Sequence, residues 1–351
     1  MAAKNQGKNE AKERAREAAR HSIREASAWT PQDLARAVVE GKREALAQAI
    51  TWVESTAPEH QPFIEELLAD LPHSSASMRI GFTGIPGAGK STLIERFGLH
   101  ALSQGWKVAV LAVDPSSHRT KGSLLGDKTR MTELSKHPDA FVRPSAAAAT
   151  LGGVSRATSE AIQLCEAAGY NLILVETVGV GQSEVAVRSM VDLFALLLIG
   201  GAGDDVQGIK RGVVEMADLV LVHKAEQDRM AESRAAASAY KQALHVLPTP
   251  PSGSAAEVMM LSSLTGEGHD ELWARILELR QAWIASGWWA AQREHQRVEA
   301  MHRHARQLLV DAHMHHKAEE WQTFEREVAR GQRSPFSAAR AWVDMPNRSD
   351  S

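Results

Sequence analysis

Cysteine is almost missing from this sequence: among 351 residues, Cys165 carries the one thiol. That excludes an intrachain disulfide and any zinc site built on cysteines, and it fits a reducing compartment. Long apolar runs are missing too. The longest uncharged apolar run, LFALLLIGGAG between Asp192 and Asp204, falls well short of the roughly 20 residues that cross a bilayer, and reads as a buried strand running into a glycine loop. Neither charge sign is in excess, with 40 Lys and Arg against 43 Asp and Glu, so the broad basic surface of a non-specific nucleic-acid binder is lacking. The opening MAAKNQGKNEAKERAREAARHS lacks the apolar centre of a secretory signal, and Glu10, Glu13 and Glu17 argue against a transit peptide. These absences lead us to expect a cytoplasmic protein with neither nucleic acid nor membrane as partner.

What is present divides the chain into four stretches. Residues 1–27 mix both charge signs with alanine and show no apolar stripe, which reads as a flexible tail. Residues 28–75 carry a helix-start signal at Thr30-Pro31, then DLARAVVEGKREALAQAITWVEST and QPFIEELLADLP, two amphipathic helical patterns expected to form a prefix on the next domain. Over residues 76–275 the apolar runs MRIGFTG, WKVAVLAVD, NLILVET, FALLLIG, LVLVHK and VMMLSSL alternate with helical stretches. Strands alternating with helices predict an α/β domain, a mostly parallel sheet flanked by helices. Residues 276–345 are helical and polar. With Trp273, Trp283, Trp288, Trp289, Trp321 and Trp342 gathered near or within them, they predict a helical dimerisation arm and a homodimer.

One segment carries chemistry at once. The strand pattern RIGFTG runs into Gly84-Ile85-Pro86-Gly87-Ala88-Gly89-Lys90-Ser91-Thr92, followed by an apolar-periodic helix start. This is GxxxxGKS between strand and helix, a phosphate-binding loop. Its glycines let backbone N–H groups turn inward at a helix N-terminus, Lys90 reaches the β- and γ-phosphates, and the Ser91 hydroxyl ligates Mg²⁺. Asp114 and Glu176 each end an apolar strand pattern, where a carboxylate stands near the metal at the carboxyl edge of a sheet. Glu176 also opens Glu176-Thr177-Val178-Gly179, an ExxG where small GTPases carry DxxG, so the Gly179 N–H is placed to sense the γ-phosphate.

Base recognition is expected after LVLV, where GTPases carry NKxD and this chain has His223-Lys224-Ala225-Glu226. Glu226 can accept from guanine N1–H and N2–H as an aspartate does, one methylene further out. His223 replaces the asparagine amide with a single N–H donor. Lys224 keeps the stem that stacks along the base, and Ser262-Ser263-Leu264 fits the SAL-like loop that closes the base pocket. Bound GTP or GDP is therefore expected, with weakened affinity or discrimination.

Together with VDPSS, GSLLGDKTRM, TLGGVSRAT, VETVGVGQSE and GAGDDVQGIKRG, these residues resemble the MeaB/ArgK group of P-loop GTPases, which includes the methylmalonic aciduria type A protein. The resemblance covers the whole α/β domain and, more loosely, the helical prefix and the SPFSAA arm. It implies a G-protein chaperone for an adenosylcobalamin-dependent acyl-CoA mutase, gating cofactor loading from an adenosyltransferase or removal of damaged cofactor, without binding cobalamin directly. On matching positions it makes Ser91, Asp114, Asp127 and Glu176 the magnesium and switch set. It makes Asp204, Asp205, Gln207 and Lys210 a third switch coupling nucleotide state to the mutase. Ser145 to Thr150 reads SAAAAT where the family is richer in Ser and Gly.

No glutamine directly follows Gly179; Val180 stands there, and Gln182 and Asp127 are the residues left to position water beside Lys90. Slow intrinsic GTP hydrolysis, raised by a partner, is expected. His295, His302, His304, His313, His315 and His316 support an alternative, a nickel or zinc metallochaperone GTPase. A kinase of amino-acid transport is the third reading, and no acceptor site or base for it is visible.

Overall fold

The structure, a computed structural model, describes residues 29–55, 57–72, 76–113, 131–143, 151–177, 183–201 and 211–345. Backbone contacts divide the chain into two compact units, one ending at Arg293 and one beginning at Glu294.

The prefix forms three helices rather than two: α1 (Pro31–Val39), α2 (Arg43–Val53) and α3 (Gln61–Ala69). Thr30 caps α1, its hydroxyl accepting from the Asp33 N–H at 3.1 Å with Pro31 in the first turn. The break after α1 falls at Gly41, whose φ of +77° other residues rarely adopt. The composition of DLARAVVEGKREALAQAI hides this break, since an interior glycine is often tolerated in a helix.

Among the described residues seven strands then alternate with helices. They are β1 (Met78–Gly84), β2 (Val108–Val113), β3 (Ala140–Arg143), β4 (Leu172–Thr177), β5 (Leu193–Ile199), β6 (Leu219–His223) and β7 (Glu257–Leu261). Between them lie α4 (Lys90–Ser103), α5 (Thr132–Lys136), α6 (Leu151–Ala167), α7 (Ser183–Arg188), α8 (Arg211–Met216) and α9 (Met230–His245). After β7 come α10 (His269–Ala285) and α11 (Trp288–His316). The strand order is β3-β2-β4-β1-β5-β6-β7, every pair parallel. Six strands match the apolar runs of the sequence; β3, a four-residue edge strand, does not announce itself.

Alternation along the strands builds two cores, because successive side chains point to opposite faces. Ile173, Val175, Phe194, Leu196 and Val220 pack with Leu34, Leu46 and Ile50 of the prefix and with Leu164 and Cys165 of α6. Leu172, Leu174, Leu197, Leu219 and Leu221 pack with Leu93, Ile94 and Phe97 of α4 and with Leu272, Trp273 and Trp283 of α10. Parallel strands covered on both faces read as continuous apolar runs, which is why LFALLLI does.

At the end of the sheet where β1 and β5 begin, ion pairs are buried. Arg293 donates to both Asp192 carboxylate oxygens at 2.5 and 2.6 Å and to Glu166 at 3.1 Å. Arg79 donates to both oxygens of Glu166 at 2.7 Å, and its backbone N–H to Asp192 at 2.8 Å. Ser77 also donates to Glu166.

In the second unit, α12 (Ala318–Ala329) and α13 (Pro335–Val343) follow α11. Trp342 meets Trp321 and His313 edge-on, with ring centroids 4.6 and 4.4 Å apart. Trp273, Trp283, Trp289 and Trp342 are all buried in the chain itself, so they carry no argument for a partner. Among the described residues of this unit, the large apolar side chains more than half exposed are Met301, Leu309, Val310, Phe336 and Val343.

Candidate functional site

Parallel strands bring all their carboxyl ends to one edge, where open α/β sheets bind ligands. Gly84, Thr177, Ile199 and His223 end β1, β4, β5 and β6 there. The register places Phe82 beside Glu176, Gly84 beside Leu197, and His223 between Ile199 and Leu261. Thr177 Oγ1 and Thr83 Oγ1 are 2.9 Å apart and tie the ends of β4 and β1.

The loop between β1 and α4 is shaped by its glycines. A side chain at Gly84 would come within 2.4 Å of the Leu197 carbonyl oxygen, so the loop starts where two backbones approach closely. Gly89 has a φ of +90°, and a Cβ there would lie 2.7 Å from the Cε1 and Nδ1 atoms of His223. Gly87 is also left-handed, at +81°, with open space around it. Pro86 and Ala88 lie within the turn, and Thr92 follows Ser91 in the first turn of α4.

Lys90 is buried, and its Nζ donates to Gly84 O at 2.7 Å and Ile85 O at 3.2 Å. Burial lowers its pKa, opposed by the carboxylates of Glu176 and Glu184. The Ser91 hydroxyl donates to Glu176 Oε1 at 2.9 Å, both residues being buried. A hydroxyl and a carboxylate oxygen side by side at a phosphate-binding loop are the hard oxygen donors that suit Mg²⁺, whose remaining positions go to phosphates and water. Of the four residues expected to hold magnesium, the structure brings Ser91 and Glu176 together. Asp114 and Asp127 lie outside the described residues, as do Gly179, Gln182, Asp204, Asp205, Gln207 and Lys210.

The far side of the site is built by the segments after β6 and β7. Lys224 has a φ of +59°, the one left-handed non-glycine among the described residues, and its Cε would lie 3.6 Å from a Cβ on Gly89. The lysine stem thus runs against the phosphate loop. Glu226 accepts from Ser262 Oγ at 2.8 Å, while Ser262 Oγ accepts from the backbone N–H groups of Leu264 and Thr265, each at 3.2 Å. Leu264 is mostly exposed.

His223 is 2% exposed. Its Nδ1 lies 2.7 Å from Ala88 O, its Nε2 lies 2.8 Å from Ser263 Oγ, and the Ser263 N–H points to the same Nε2 at 3.4 Å. Ser263 Oγ in turn lies 3.1 Å from His269 Nε2. Burial lowers the pKa of His223, aided by Lys224 and opposed by the Ala88 carbonyl and Glu226. Burial lowers His269 to about 4, with His223, Arg96 and His100 adding to it and Asp270 opposing. His269 is a site neighbour that no sequence motif marks; its only signal is its place six residues after Ser263.

In the second unit His313 Nε2 lies 2.8 Å from Trp342 O and 2.9 Å from Lys317 Nζ. Among the described residues no group of three or more His, Cys, Asp or Glu could hold a metal ion. Among them too, no helix is long and apolar enough to cross a membrane.

Comparison with known proteins agrees with this geometry. The family model of the methylmalonyl-CoA mutase-associated GTPase MeaB matches residues 46–318. A putative GTPase of Caulobacter vibrioides is 50% identical over 280 residues, covering 80% of this chain and 86% of the relative. The mitochondrial methylmalonic aciduria type A homolog of Mus musculus is 44% identical over 315 residues, covering 86% and 76%. The crystal structure of an LAO/AO transport system kinase superposes with a TM-score of 0.69 at 35% identity, covering 90% of this chain and 97% of that one. With its loop, its parallel sheet and matches of this extent, the chain belongs to the MeaB family of P-loop GTPases and is a GTP hydrolase.

Proposed function

We propose that this GTPase is a nucleotide-dependent chaperone for an adenosylcobalamin-dependent acyl-CoA mutase, controlling loading of the cofactor from an adenosyltransferase or its removal, without holding cobalamin itself. The observation that carries the reading is the match over residues 46–318 to a family named for association with methylmalonyl-CoA mutase. In this reading the protein is cytoplasmic and dimeric, and the exposed Met301, Leu309 and Val310 of α11 face a second copy; sedimentation of the full chain tests that part.

Phosphoryl transfer to water needs positioning and charge stabilisation more than covalent chemistry. The backbone N–H groups of Gly87, Gly89, Lys90 and Ser91 would cradle the phosphates at the start of α4, while the Ala88 N–H donates to Ile85 O at 3.2 Å. Lys90, held at the foot of the loop by Gly84 O and Ile85 O, exchanges those carbonyls for β- and γ-phosphate oxygens. Ser91, Glu176, Asp114 and Asp127 would hold Mg²⁺, which neutralises charge on those oxygens. Glu226, fixed by Ser262, accepts from guanine N1–H and N2–H, with Lys224 along the base and Leu264 closing over it. Asp127 and Gln182 position the attacking water. Asp204, Asp205, Gln207 and Lys210 follow β5 and carry nucleotide state to the mutase. Hydrolysis is slow until a partner engages.

The test is hydrolysis of GTP and ATP by the purified protein, with and without an adenosylcobalamin-dependent acyl-CoA mutase from the same source. A GTP-selective rate that rises with the mutase is expected. Equal use of ATP, or a rate unmoved by the mutase, would refute the proposal.

A further inference from the structure

The residues around His223 form a hydrogen-bond chain whose direction is fixed by one atom. Ala88 O is a carbonyl and can only accept, so His223 Nδ1 carries the proton and donates to it over 2.7 Å. The imidazole is buried and its pKa is lowered, chiefly by that burial, so it is neutral at pH 7 and Nε2 is an acceptor. Ser263 fills that acceptor twice, with its hydroxyl at 2.8 Å and its backbone N–H at 3.4 Å. Having given its one proton to His223, Ser263 Oγ accepts from His269 Nε2–H at 3.1 Å. The remaining nitrogen of His269, Nδ1, is then a bare acceptor, and it is buried with no hydrogen-bond partner, as the direction of the chain requires. The sequence His269 → Ser263 → His223 → Ala88 thus runs from the start of α10, through the base-closing loop, to the phosphate loop.

We infer that His223 is a positioning residue that ties the phosphate loop to the base-closing loop and has no donor left for the nucleotide base, so it does not read the N7 edge of guanine. The inference rests on the guanine-nucleotide reading of the site. It follows from counting donors. Guanine offers N7 and O6 as acceptors on that edge, and a side chain must donate to read them. A neutral imidazole has one N–H, and Ala88 O takes it. An asparagine, which other GTPases carry here, could hold the same two loops with its carbonyl oxygen and one N–H and still have a second N–H free. Gly89 supports the assignment from the other side: a Cβ there would strike the Cε1 and Nδ1 atoms of His223 at 2.7 Å, so that edge of the ring is seated against the phosphate loop. Specificity is left to Glu226, whose Oε1 is held by Ser262.

Titration of GDP and of 7-deaza-GDP, which lacks the N7 acceptor, into the full chain with Mg²⁺ tests this directly. The wild type should bind the two within about twofold of each other. His223→Asn should keep both loop contacts and gain a preference for GDP of roughly threefold to tenfold, the range of one added hydrogen bond. Ser263→Ala cuts the tie without touching the base. It should weaken both nucleotides by the same factor, about threefold to tenfold, leaving their ratio at one. A wild-type preference for GDP above about fivefold, an H223N ratio that stays at one, or an S263A affinity equal to wild type would each overturn the inference while GDP binding itself stands. Failure of the wild type to bind GDP would overturn the nucleotide reading and this inference together.

Discussion

The buried ion network offers the clearest quantitative prediction. Replacing Arg293 by leucine removes two contacts to Asp192 and one to Glu166 and leaves Arg79 as the remaining guanidinium beside two buried carboxylates. Deleting one partner of a buried pair costs about 3–5 kcal/mol because the other charge stays buried without compensation. At about 2–4 °C per kcal/mol for a domain of this size, the melting temperature of the α/β unit should fall by roughly 6–20 °C. Thermal unfolding of the full chain followed by tryptophan fluorescence measures it, since Trp283 and Trp289 are buried in that unit. Asp192→Asn added to R293L should recover part of the loss, since it neutralises one of the orphaned carboxylates; the Arg79 N–H still finds an acceptor in the amide. A fall below about 2 °C in R293L, or no recovery in the double variant, would refute the reasoning.

Ser91→Ala should raise the Mg²⁺ concentration needed for half-maximal GTP hydrolysis by about tenfold or more, the scale of lost metal support; an unchanged magnesium curve would exclude Ser91 as a ligand. Gly89→Ala should lower GTP affinity and melting temperature together, since the new Cβ meets His223 at 2.7 Å and the left-handed φ costs about 1–2 kcal/mol; equal nucleotide affinity would count against the tight seat of the ring. Glu160 is buried, and burial pushes its carboxyl up to about 7 with Arg156 pulling the other way. The folded state therefore holds that proton longer than the unfolded state, and stability from this group is lost as pH rises from about 4.5 through 7. The melting temperature of Glu160→Gln relative to wild type should accordingly be higher at pH 8 than at pH 5, and a difference independent of pH would refute it.

Much of the α/β fold was legible because both faces of the sheet are covered. Apolar runs such as LFALLLI and NLILV have no other way to be satisfied, and the phosphate loop announces itself by glycines that only close backbone approach requires. β3 was not legible: AFVR is too short for any pattern. The prefix break was hidden because Gly41 looks like a tolerated helical glycine. Around the nucleotide, Ser91 and Glu176 could be read from strand-end and loop positions, and the structure pairs them. The chain from His269 to Ala88 could not be read, since it depends on a ring angle and on residues from three segments. The same holds for Arg79, Glu166, Asp192 and Arg293, which sit far apart along the chain and carry no shared motif.

The seven parallel strands give the sheet a polarity that separates two kinds of constraint. Where the strands begin, Arg79, Asp192 and Glu166 hold the molecule together, and a change there is felt by every strand. Where they end, Ser91, Glu176 and His223 bond to neighbouring loops and strand ends, away from that network. Selection on nucleotide or partner can therefore act on one rim, at an outer residue such as Glu226, while the ion network of the other rim stays fixed.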